Sequence, residues 1–151
     1  MNKHHIISQL QKAKTEHIEW VRHARALLKG ISQNKIKKPI SFSDCDFGLW
    51  FYKEGHRLVN IPQLEELEEL HRDIHHLYTA LYYITFDRRK VARATIISAG
   101  IEVPIEEKAF RQEKLKRLEK ETIRMIHLLV VIAKTVATMK ERDFNNGWLV
   151  D

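Results

Sequence analysis

Leu64-Glu65-Glu66-Leu67-Glu68-Glu69-Leu70-His71-Arg72-Asp73-Ile74-His75-His76-Leu77-Tyr78-Thr79-Ala80-Leu81 decides the fold of this chain. Leu64, Leu67, His71, Ile74, Tyr78 and Leu81 recur at steps of three and four, the repeat that lines one face of an α-helix. The segment is therefore a helix with a buried seam, and one residue of that seam is a histidine. His75 follows His71 by one turn on nearly the same face, so two imidazoles point at one spot. His76 points about 100° away around the helix and is expected outside that spot, facing solvent or supporting it.

The same reading extends in both directions. Asn60 can cap this helix, with Pro62 tolerated in its first turn, and the helix is expected to end near Asp87. Upstream, residues 3–29 form a first helix whose seam is Ile7, Leu10, Lys14, His17, Val21, Ala24 and Leu28, and Gly30 is a suitable stop. His17 lies in that seam and should face the interior. Residues 32–41 read as a polar, basic connector with Pro39. A short helix begins near Cys45, with Ser43 or Asp44 as its cap. Cys45 then sits in the first turn, where free N–H groups favour the thiolate and lower the thiol pKa. Phe47, Trp50 and Phe51 give this helix an aromatic face, and Gly48 allows close approach of a backbone or a ring. Downstream, residues 88–99 read as a shorter basic helix ended by Gly100. Pro104 opens a long helix over residues 105–142, with the seam Leu115, Leu118, Thr122, Met125, Leu129, Ile132, Val136 and Met139.

The expected fold is all-α: an antiparallel bundle of four to five helices with a long C-terminal helix, in one domain over residues 1–151. The last helix is apolar nearly all round over residues 123–133, which places it centrally or against a second chain, and a homodimer is expected. The tail Phe144-Asn145-Asn146-Gly147-Trp148-Leu149-Val150-Asp151 turns at Asn-Gly and offers an aromatic to its own bundle or to a partner.

The composition agrees. Of 151 residues, 44% are hydrophobic and 30% charged, with five glycines and three prolines, which suits a globular helical chain and argues against disorder. The net charge of +6 would suit a nucleic acid or an acidic partner, but acids and bases alternate along the helices, as in Glu106-Glu107-Lys108, so no nucleic-acid surface is expected. One cysteine excludes an internal disulfide. The N-terminus lacks the pattern of a signal peptide. The apolar run 123–133 is shorter than the roughly 20 residues of a membrane span, so a soluble, cytoplasmic chain is expected.

Cys45 with His17, His71 and His75 could make one tetrahedral zinc site, since zinc favours S and N donors in a closed shell. Arg72 follows His71 where a His-Glu-x-x-His protease has its base, and no general base stands beside these residues, so no enzyme is expected. His4, His5, His23, His56 and His127 are read as surface or packing residues.

The blocks His17-Ile18-Glu19-Trp20, Cys45-Asp46-Phe47-Gly48-Leu49-Trp50 and His71-x-x-x-His75 resemble, in order and separation, the three motifs of the chemoreceptor zinc-binding (CZB) domain. The resemblance covers about residues 10–85, and residues 88–151 lie beyond it as a helical extension. It implies one Zn²⁺ held by His17, Cys45, His71 and His75, with Trp20 and Trp50 walling the metal. It further implies a bacterial, cytoplasmic sensor linked to chemotaxis or to diguanylate cyclases. Such a sensor answers to zinc or to oxidants at Cys45 and passes its signal to a protein partner. Residues 1–151 show no receptor coiled coil or cyclase pattern, so a sensor whose output lies in a partner, or a fragment of a larger receptor or cyclase, is expected. A helical adaptor with a structural zinc, a catalytic metal site and a hemerythrin-like di-iron bundle remain as alternatives.

Overall fold

The computed structural model describes residues 2–58, 60–86 and 105–140. Among the described residues four helices make up the bundle: α1 (Lys3–Leu28), α2 (Asp46–Lys53), α3 (Gln63–Phe86) and α4 (Ile105–Thr138). Two 3₁₀ turns, Gln33–Lys35 and Gly55–Arg57, lie in the connections. The shorter basic helix expected at 88–99 and the tail 144–151 lie outside the described residues.

Helix directions follow from the ion pairs and end contacts. Lys3 Nζ at the start of α1 donates to the Met139 carbonyl at the far end of α4, and Arg25 near the end of α1 meets Glu119. Those helices are antiparallel. Arg124 with Glu66 and Arg117 with Asp73 set α3 antiparallel to α4 as well. Helices α1 and α3 therefore run parallel, which the expectation of antiparallel neighbours did not separate out. The chain between them returns down the bundle, and α2 rides on that return, antiparallel to α1, with Lys12 at Asp46 and His5 at Glu54.

Each helix is set by its burying stripe and its ends. The Asn2 side chain accepts the His5 N–H and caps α1, and Gly30, at φ 75°, supplies the left-handed residue that stops it. Arg111 donates to the Leu27 carbonyl at the same end, placing a cation where the helix dipole favours one. The buried stripe of α1 is Ile6, Leu10, Ala13, His17, Trp20, Val21, Ala24 and Leu27. The expected seam is thus turned slightly. Lys14 is exposed, because the Trp20 and Leu27 side chains bury more apolar surface than a stripe centred on a lysine could. In α3 the stripe is Leu67, His71, Ile74, His75, Leu77, Tyr78, Leu81 and Tyr82. In α4, Leu118, Thr122, Met125, Leu128, Leu129, Ile132 and Val136 are buried. These residues share one core with α1, α2 and α3, so α4 is built into the bundle that carries the histidines.

Two helix starts differ from expectation. Asn60, at φ 64°, makes the turn ahead of α3, which begins at Gln63. The left-handed backbone is one that asparagine tolerates. The cap of α2 is Cys45 itself. Ser41 and Ser43 are occupied in the preceding turn, where their hydroxyls bond each other at 3.0 Å and the Ser41 carbonyl takes the Asp44 N–H.

Candidate metal centre

Three separate segments bring His17, Cys45, His71 and His75 together, all buried, with one donor atom from each lying within 4.8 Å of the others. A zinc tetrahedron has edges of about 3.3–3.6 Å between its donors, given Zn–N near 2.0–2.1 Å and Zn–S near 2.3 Å. The Cys45 Sγ to His71 Nε2 distance, 3.2 Å, is already of that size. The three imidazole centroids stand 4.6–5.5 Å apart, edge to face.

The local chemistry fits a cation at this point. His17 Nδ1 lies 2.7 Å from the Ala13 carbonyl and His75 Nδ1 lies 3.0 Å from the Ile40 carbonyl. A carbonyl only accepts, so in each ring Nδ1 carries the proton and Nε2 presents a lone pair. Those two Nε2 atoms are buried with no hydrogen-bond partner. Such orphaned acceptors are expensive in a packed core, and a metal ion is the partner that satisfies both. A carbonyl behind a ligating imidazole also fixes its tautomer and ring orientation.

Cys45 is held from the other side. Its Sγ accepts the Gly48 N–H at 3.3 Å, as the cap of α2. Gly48 has no substitute here: a Cβ on it would lie 1.9 Å from the Phe42 carbonyl oxygen. The glycine thus lets α2 sit against the backbone of residues 42–43, as its position in the sequence suggested. Phe47 closes the floor, its ring 4.8 Å from His71 and 6.2 Å from His17.

Charge follows burial. Desolvation pushes His17 down to about 4 and His71 down to about 2, and it lowers His75 as well. All three rings are therefore neutral and available as ligands at pH 7. Burial pushes the Cys45 thiol up to about 11; the Gly48 and Phe47 amides pull it down but lose, and the Glu16 carboxylate adds to the rise. This corrects the expectation of an acidic thiol: two amides at a helix start do not offset removal from water, and holding a thiolate here takes a nearby cation.

Trp20 flanks the cluster, its ring 5.6 Å from His75 and 4.6 Å from Tyr78. Trp50 stands a layer further out, packed on Phe47 and over Gly55. His76 is exposed, as expected. His23, His56 and His5 are engaged with the Lys37 N–H, the Phe51 carbonyl and Glu54 respectively. Sequence reasoning missed the carbonyls of Ala13 and Ile40. The first was discoverable as the residue four before His17 on a helix; the second carries no side-chain signal.

Among the described residues no helix is long and apolar enough to cross a membrane. Residues 17–82, under half of the chain, match the family model described as the chemoreceptor zinc-binding domain. The match opens on His17 and contains all four clustered side chains. No curated protein and no solved structure matches the chain.

Proposed function

Taking residues 17–82 as a chemoreceptor zinc-binding domain, we propose that His17, Cys45, His71 and His75 hold one Zn²⁺ and that the centre is a sensor, read out through the position of α2. The observation that carries this is the pair of orphaned buried Nε2 atoms beside a helix-capping sulfur. A cluster of three imidazoles and one thiol lacks the carboxylate bridges of a di-iron bundle, which weighs against that alternative. When bound, zinc supplies a fourfold anchor and keeps the Cys45 sulfur as thiolate.

The residues then divide the work. His17 and His75 are aimed by backbone carbonyls and belong to the rigid frame of α1 and α3. Cys45 belongs to both the metal centre and the first turn of α2, so any change at its sulfur is felt by that helix. A two-electron oxidant such as hypochlorous acid converts the thiolate to the sulfenic acid with release of chloride. The uncharged product is a poorer metal ligand and a poorer acceptor for the Gly48 N–H, so α2 loosens on both counts. Removing zinc reaches the same end through the metal. Neither event needs turnover. The signal leaves through a protein contact, and we assign the expected homodimer to the outer face of α4, where Ile123 is 69% exposed.

Metal analysis of the purified chain tests the reading. Wild type carries one zinc per chain and releases it with one equivalent of hypochlorous acid. Cys45→Ala keeps weaker binding through three histidines and does not release in step with oxidant. A wild type without zinc, or a Cys45→Ala variant that responds like wild type, sinks the proposal.

A further inference from the structure

The four clustered side chains are 0–4% exposed, so a metal ion or reagent must pass through a wall to reach them. One cavity of about 280 Å³ lies between residues 39–42 and α3, and of the four it is lined by His75 alone. Ile40, Phe42, Thr79 and Tyr83 form the rest of the wall that matters. At roughly 30 Å³ per water, that space admits a hydrated ion or a small molecule.

The wall contains the group that orients His75. The Ile40 carbonyl accepts its Nδ1–H at 3.0 Å, and the residue itself is exposed on the strap that crosses α3. The strap is anchored at either end. At Lys37 the carbonyl accepts the Tyr78 hydroxyl, the N–H donates to His23, and Nζ sits 4.7 Å over the Trp20 ring. At Cys45 the chain enters α2 as its cap. Between these anchors the Ile40 carbonyl ties the strap to α3. Lifting residues 38–41 breaks that contact, frees the His75 ring and widens the cavity in one motion.

We infer that this cavity is the route by which the centre exchanges its metal and meets small reagents, with the Ile40–His75 contact as its latch. The inference rests on the zinc reading above.

The test is zinc release from the loaded full chain into excess 4-(2-pyridylazo)resorcinol. Thr79→Phe fills the cavity and slows release; Pro39→Gly loosens the strap and speeds it, each by about fivefold, the factor that goes with one hydrogen bond of ordinary net strength. Ala133→Phe fills a different groove, between α1 and α4, which touches none of the four side chains, and leaves the rate unchanged. Slowing is the informative direction, because general destabilisation only accelerates loss. Release from Thr79→Phe at the wild-type rate or faster, or equal slowing by Ala133→Phe, overturns the route. A wild type without stoichiometric zinc is a separate failure, which removes the zinc reading and the route together. Full zinc with unchanged Thr79→Phe kinetics removes the route alone.

Discussion

Gly48→Ala is the sharpest perturbation the structure offers, because one methyl group sets two known effects against each other. Alanine is the better helix former by about 1 kcal/mol, so on propensity the variant gains. Packing opposes it. The new Cβ would stand 1.9 Å from the Phe42 carbonyl oxygen, 2.9 Å from its carbon and 3.0 Å from the Ser43 carbonyl carbon, all backbone atoms. Ordinary contact begins at 3.4 Å, so α2 and the strap must separate by about 1.5 Å. Overpacking of this kind costs about 1–3 kcal/mol, and a backbone obstacle belongs at the upper end. The same displacement carries Cys45 Sγ, now 3.2 Å from His71 Nε2, well outside the ~0.2 Å tolerance of a zinc–ligand distance. Urea denaturation of zinc-loaded and metal-free protein, with chelator competition for affinity, measures both effects. The expected result is a net loss of about 1–2 kcal/mol without metal, and zinc affinity down by about 10–100-fold, as for other changes to the support of a ligand. Wild-type affinity together with a raised denaturation midpoint would refute the reasoning and show that propensity wins.

Further expectations concern the frame and its protonation. Leu129→Ala, at the buried α1–α4 seam, should cost about 2–5 kcal/mol in urea denaturation while zinc stoichiometry is kept, separating stability from metal binding. His71→Ala should weaken zinc by at least about tenfold in chelator competition, because it removes the donor that stands 3.2 Å from Cys45 Sγ and leaves three of the four ligands, and an unchanged affinity would contradict its place in the site. Metal-free protein should lose stability as pH falls below about 6.5. The folded-state values of His17, His71 and His75 are depressed, so the unfolded chain binds protons first, at up to about 1.4 kcal/mol per histidine per pH unit toward pH 4. Denaturation midpoints that do not change between pH 7 and pH 5 would contradict that. Arg124→Ala, which removes an exposed ion pair with Glu66, should change stability by less than about 1 kcal/mol by the same assay.

What could be read in the chain was set by periodicity and by single residues with one possible use. The seam through Leu67, His71, Ile74, Tyr78 and Leu81 is buried as its spacing implied, Gly30 takes the left-handed backbone that ends α1, and Gly48 stands where only glycine serves. His17 and His71 lay in seams that face a common interior, while Cys45 and His75 joined them through the helix-start position, the one-turn spacing and the motif resemblance. Other features were not legible because they depend on tertiary contacts. The parallel run of α1 and α3 is decided by where the return segment packs. The thiol shift to about 11 is decided by burial depth, which a helix-start position does not reveal. Cys45 became the cap of α2 because the nearby serines bond each other, and Ile40 took its role through a backbone carbonyl that any residue could provide. Lys14 fell out of the α1 stripe because large side chains at Trp20 and Leu27 turned that face inward.

Zinc-edge X-ray absorption on the purified, untreated chain addresses the central claim directly. The expected spectrum has four-coordinate zinc with one sulfur near 2.3 Å and three nitrogens near 2.0–2.1 Å, and it loses the sulfur shell in Cys45→Ala. A shell of light atoms alone in wild type, or a sulfur signal that survives removal of Cys45, would contradict it.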